Sequence, residues 1–219
     1  MDCFTELEQA TQDERARLLS APIIADAMAG RVSRAQYQAF LTQAYHHVRH
    51  TVPLLMSCGG RLPARLEWLR EAVAHYIGEE LGHQEWILDD LAAAGGDAQA
   101  VRDGQPALAT ELMVAYAYDT IQRRNPVAFF GMVYVLESTS VTLASQVAAA
   151  LAPCLDLPRQ AFTYLSSHGS LDLSHMDDLR ALVNRLDTPA DRAAVIAAAG
   201  RFFRLYGDVL RSLPSGAAS

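Results

Sequence analysis

The sequence predicts an all-α protein, a single helical bundle of about seven or eight helices. Three observations predict it. Apolar residues recur at three- and four-residue steps along almost the whole chain, and period-2 alternation is scarce. Asn125-Pro126 and Thr188-Pro189 each set a capping residue before a proline, which suits the first turn of a helix. Hydrophobic residues make up 51% of the 219, enough for one sizeable core, so residues 1–219 read as one domain.

The elements follow in order, with boundaries good to a few residues. A first helix spans about 3–19, and a short one near 22–29 stops at Gly30. Ser33 and Gln36 form a capping box for a long helix of about 34–58, ended by Gly59-Gly60. Pro63 restarts a helical segment to about Ala94, with a possible break near Gly78. Gly95 to Pro106 is the longest loop. Helices follow at about 107–124, 126–151, 158–186 (interruptible at Gly169) and 189–213, and the tail at 214–219 is expected to fray.

Composition removes several function classes. The net charge of −7 lacks the basic stripe that nucleic acid demands. All 18 basic residues are Arg, so no lysine is present to form a Schiff base or hold pyridoxal phosphate. Cys3, Cys58 and Cys154 are scattered with no Cys-x-x-Cys, as expected of a reducing compartment. The start of the chain has neither the basic end nor the apolar centre of a signal peptide, and no apolar run approaches the roughly 20 residues of a membrane span. The expected setting is the cytoplasm, without a membrane partner. The Ala- and Arg-rich composition suggests a bacterial source.

The polar residues on apolar stripes carry the chemistry. His168, Asp172 and His175 are spaced i, i+4 and i+7, one face of a helix, and two imidazoles with a carboxylate suit iron, manganese or zinc. Glu137 ends the apolar run FFGMVYVLE; it is either a helix edge that meets solvent or an Arg, or a buried carboxylate that needs a cation. Glu80 and His83 form Glu-x-x-His, the element di-iron carboxylate bundles project inward, and Glu79 is i, i+4 from the same histidine; a solvated charged face is the plainer alternative. His46, His47 and His50 fall within about one turn and read as a polar patch, as metal ligands, or as groups beside the ligands. Tyr134, one turn before Glu137, either faces the same cavity or is a core tyrosine with a satisfied hydroxyl. Together Glu80, His83, Glu137, His168, Asp172 and His175 supply three imidazoles and three carboxylates from separate helices. That set is close to what two iron ions need, whereas one structural zinc needs only about four ligands.

With these residues in place the chain resembles the heme-oxygenase-like di-iron oxidases and oxygenases, the iron-containing redox enzymes. They are related in fold to thiaminase II and pyrroloquinoline quinone synthase. The resemblance runs from about Arg34 to Leu186. It rests on Glu80 and His83 in EELGH, Glu137 in YVLEST and the His168-x3-Asp172-x2-His175 element, helped by Trp86 and Asp90-Leu91 before Gly95. It implies a heme-oxygenase-like bundle, two Fe(II) ions per chain held by those six residues, dioxygen as co-substrate, a homodimer, and a small metabolite (amine, amino acid or fatty acid) as substrate. Where some members draw a further carboxylate from the long helix, this chain has His46, His47 and His50, and Glu79 rivals Glu80 as ligand. Thiaminase II uses a cysteine on the helix that here carries Glu137, and the segment FFGMVYVLESTSV around that residue has none. Heme oxygenase uses a histidine near its N-terminus, and the first here is His46. Two readings from other classes remain open: a metal-free small-molecule enzyme with histidine acid–base chemistry, and a non-catalytic binding or regulatory protein on the same fold.

Overall fold

The structure, a computed structural model, describes residues 2–214 and their side chains except those of 168–174. Of the tail expected to fray, residues 215–219 lie outside the described residues, whereas Pro214 is held: its carbonyl accepts from Gln36 Nε2 at 2.9 Å. Among the described residues there are twelve α-helices, three short 3-10 turns and no strand. The helices are α1 (Cys3–Ala10), α2 (Gln12–Leu19), α3 (Pro22–Met28), α4 (Arg34–Val48), α5 (Thr51–Arg61) and α6 (Glu67–Glu80). They continue with α7 (His83–Ala93), α8 (Ala98–Asp103), α9 (Leu108–Arg123), α10 (Phe129–Leu155), α11 (Thr163–Asn184) and α12 (Pro189–Ser212).

The count exceeds the sequence expectation because three expected helices are split and the long loop contains α8. The Ser33–Gln36 capping box forms as expected. The helix it opens stops at Val48, since Pro53 has no N–H to give and is accommodated in the first turn of a new helix. Gly59-Gly60 does not end that helix. It runs on to Arg61 and stops at Leu62, whose extended backbone (ψ 134°) is what a following proline imposes. The third break is at Gly82 rather than Gly78: Gly82 has φ +94°, a left-handed conformation that glycine adopts without steric cost. The interruption considered at Gly169 does not occur, and the α11 backbone is helical throughout.

Helix α10 is the axis of the molecule, packed between α11 and α12. Its first turns, Phe129 to Val135, are buried all round, which a helix apolar on every face requires. Gly131 permits this, since a Cβ there would stand 2.6 Å from Ala199 N and 2.7 Å from Val195 O of α12. Residues Pro126–Leu155 are long and apolar enough to cross a membrane by length and composition, although mostly buried inside the protein. This corrects the expectation that no run approaches that length: Glu137 breaks the apolar string without lowering the average of the whole helix.

Two carboxylates tie the elements together. Asp191, 1% exposed, is bound by Arg65 (2.7 Å), Asn125 (2.8 Å) and Thr188 (2.7 Å), which fixes the start of α12. Asp90 on α7 is fully buried, and its Oδ2 accepts the Tyr164 N–H at 2.8 Å, so α7 holds the first turn of α11. Burial pushes the Asp90 carboxyl up to about 6, against the hydrogen bonds from Tyr164 and Thr163.

Candidate metal centre and substrate chamber

Helix α6 ends on two adjacent carboxylates, Glu79 and Glu80, with no basic side chain in its last turn. A helix C-terminus carries partial negative charge and favours cations, so two carboxylates there are a local cost that a bound cation would offset. The chain then turns through Gly82, and His83 opens α7. The Glu80–His83 pair expected on one helix therefore forms across a helix break. Glu80 Oε2 lies 3.0 Å from His83 Nδ1, and both residues are buried. Trp86 covers the His83 ring at 4.2 Å between centroids.

Glu79 points elsewhere, since adjacent helical residues diverge by about 100°. Its Oε2 is 3.7 Å from His175 Nε2 on α11, while His175 Nδ1 is 3.5 Å from Glu137 Oε1 on α10. Tyr76, one turn before Glu79 and Glu80, sets its ring edge-on to His175 at 5.0 Å. Glu137 and His175 are each 6% exposed. The two glutamates thus split the site: Glu80 goes with His83, and Glu79 with His175 and Glu137. Among the described residues no group of three donors is placed to hold a metal ion as it stands. The side chains of His168 and Asp172 lie outside the described residues. The donor chemistry fits ferrous iron, being carboxylate and imidazole throughout, with no cysteine lining either cavity among the described residues.

Two cavities meet at this cluster. The first, about 160 Å³, lies along α10 and is lined by aliphatic side chains chiefly of α3 and α10 and by aromatic and polar ones of α4, α6, α11 and α12, with Glu80 and Glu137 in its wall. The second, about 300 Å³, lies between α6, α10 and α11 and is more polar, with His75, Glu79, Glu137, His175 and Asp178. Tyr76, Val133 and Glu137 line both.

The three histidines near residue 50 part company. His47 lines the first cavity, and its Nδ1 is 3.0 Å from the Gln43 carbonyl, which can only accept, so Nδ1 carries a hydrogen. His46 and His50 line neither cavity. His46 packs on Tyr45, and His50 Nδ1 meets the Tyr118 hydroxyl at 3.1 Å. Burial, joined by Arg49, lowers the affinity of both rings for a proton. Tyr134 is a correction. It lies on the far side of α10, between Phe4 (5.7 Å) and Phe203 (5.9 Å), is 1% exposed and lines neither cavity. Sequence reasoning missed Tyr76 and Ser140, the latter in the wall of the first cavity. Their spacing of one turn from a candidate ligand was the available signal.

The fold has well-matched relatives. A heme oxygenase-like protein of unknown function from Shewanella denitrificans is 26% identical over 96% of this chain and 91% of its own, with a TM-score of 0.85. A TenA homologue from Pseudomonas syringae superposes with a TM-score of 0.80 at 12% identity, covering 94% of this chain and 90% of that one. The heme oxygenase of Leptospira interrogans gives 0.77 at 18% identity, covering 97% and 100%. The last two establish the shared heme oxygenase-like fold alone. No curated protein matches the chain. Residues 38–207, which include every candidate ligand, match the family described as iron-containing redox enzyme, and the chain belongs to that family.

Proposed function

We propose that the protein is a non-heme, dioxygen-activating oxidase or oxygenase that binds two ferrous ions and acts on a small metabolite. One observation carries this reading: Glu79, Glu80, His83, Glu137 and His175 gather from four helices where an apolar cavity meets a polar one. Glu80, His83, Glu137, His168, Asp172 and His175 would hold the metal, with Glu79 as a further carboxylate on the side of the polar cavity. When bound, ferrous iron supplies the electrons that reduce dioxygen as the substrate is oxidised.

The chain's own residues do the rest. The carboxylates offset the cation charge in a setting with little water. The aliphatic wall of α10 excludes solvent and holds the substrate against Glu137. Asp90 holds the start of α11, and so the helix that carries His175, against α7, which begins at His83. Both sides of the site are thereby kept in register.

The test is anaerobic loading with ferrous iron, followed by metal analysis and dioxygen uptake. About two irons per chain are expected, with uptake of dioxygen by the loaded protein. Glu137→Ala and His168→Ala should each lose at least half of the iron. No iron uptake, or full uptake by both variants, overturns the reading. Stable iron with no reaction toward dioxygen would favour a binding or regulatory protein on the same fold.

A further inference from the structure

The polar cavity is graded from solvent to the candidate centre. Among the described residues α6 and α11 face each other across it rather than packing closely. Its donors form a ladder. His75 Nε2 is 3.4 Å from Glu79 Oε1, Glu79 Oε2 is 3.7 Å from His175 Nε2, and His175 Nδ1 is 3.5 Å from Glu137 Oε1. Side-chain exposure falls along it, from 76% at His75 through 38% at Glu79 to 6% at His175 and 7% at Glu137. The spacing is helical: His75 and Glu79 are one turn apart on α6, and the exposed Asp178 is one turn beyond His175 on α11. His75 and Asp178 stand outside the candidate ligand set, so the ladder reaches further toward solvent than a metal site alone requires.

The surrounding charge suits a cation. Two arginines of α11 are turned onto aromatic rings, Arg180 at 4.1 Å from the ring centre of Phe4 and Arg185 at 4.1 Å from that of Trp68. Neither lines the cavity. A divalent cation loses water at great cost in an apolar setting, and at far less where each water is replaced by a carboxylate or an imidazole. Gaps under 4 Å let the ion exchange one donor for the next. The first cavity has no comparable series. Among its described lining residues the only carboxylates are Glu80 and Glu137, both buried at the centre itself, whereas the polar cavity also has Glu79 and Asp178 open to solvent.

We infer that the polar cavity is the passage by which a divalent cation reaches the centre, captured at His75 and Asp178 and handed through Glu79 to His175 and Glu137. The inference rests on the metal-site reading above. The probe is Co(II), which is stable in air and absorbs visible light when held by imidazole and carboxylate. Loading is followed by stopped-flow absorbance, release by excess EDTA, and stoichiometry by metal analysis. Ala181, an exposed residue of the cavity wall, is the place for a plug. Ala181→Phe should slow loading and release by the same factor, at least about fivefold, with affinity and stoichiometry unchanged: a barrier acts in both directions, whereas a lost ligand speeds release. His75→Ala combined with Asp178→Asn should slow loading about threefold at low salt and less at high salt. Val147→Phe, which narrows the apolar cavity, should leave loading unchanged. Ala181→Leu and Val147→Leu are milder versions should either variant not fold. Unchanged loading in the plugged or the doubly substituted protein, or equal slowing by Val147→Phe, overturns the passage while the metal reading stands. No cobalt bound by the unaltered protein overturns the metal reading and the passage with it.

Discussion

The two ends of α10 differ in composition and in density: the first is built of large apolar side chains, the second of small and hydroxyl-bearing ones. At Gly131 the helix meets the backbone of α12 so closely that one added carbon would stand 2.6 Å from a nitrogen. Nine residues on, Ser140 lines the first cavity, its buried Oγ without a hydrogen-bond partner among the described residues. Close packing at the first end contributes stability. The slack at the other end forgoes some of it and leaves room for a ligand. The difference shows that an apolar run does not by itself reveal which stretch builds the core and which builds a chamber.

Substitutions at these two positions would break the comparison if it is wrong. Gly131→Ala should cost about 3 kcal/mol in denaturant unfolding, because the obstructing atoms are backbone and cannot swing aside. An effect below about 1 kcal/mol would mean that α10 and α12 are not in such close contact. Asp90 comes next, as the buried carboxylate that secures α11. Its folded pKa of about 6 is above its ordinary value, so the protonated form is favoured in the fold. The resulting stability is complete below the unfolded value near 3.8 and is lost as pH rises to about 6. Asp90→Asn keeps an acceptor for the Tyr164 N–H and should flatten the stability profile between those pH values. Asp90→Ala removes the acceptor and should destabilise by about 1–2 kcal/mol at every pH. Thermal melts across pH 4 to 7 check both.

Gly82→Ala should cost about 1 kcal/mol, the strain of a left-handed residue with a side chain, and should weaken iron uptake by disturbing the Glu80–His83 pair. Unchanged melting and unchanged uptake would argue that the break at Gly82 is unimportant to the site. The smallest effect belongs to Ser140→Ala, which should leave stability within about 0.5 kcal/mol or raise it slightly, since it deletes a buried hydroxyl with no partner among the described residues. A loss as large as that at Gly131 would remove the distinction between the two ends of the helix.

Much of the architecture was legible before the coordinates. The Ser33–Gln36 box and the Thr188-Pro189 start form as read, because capping is local chemistry that short sequence windows contain. The split between Glu80 and His83 was not legible. EELGHQEW reads as one helix unless Gly82 is seen to take a positive φ, and only the placement of α7 against α4 and α11 calls for that turn. Tyr134 and Ser140 give the plainest case. They lie three residues before and three after Glu137, so helical geometry places each about 60° from it, on opposite sides. The sequence gives equal warrant to both. The packing of α1 and α12 decides that one side is core and the other chamber. Likewise, Glu79 and Glu80 each had a spacing argument, and the structure gives each a different partner.

Glu137 lines the apolar and the polar cavity at once. A carboxylate in a shared partition is a natural reporter. Isotope labelling of glutamate, with Glu137→Gln as the blank, isolates one stretching band in the infrared. That band senses a molecule entering one compartment and a cation arriving in the other, so one vibration can record the order in which the two are filled.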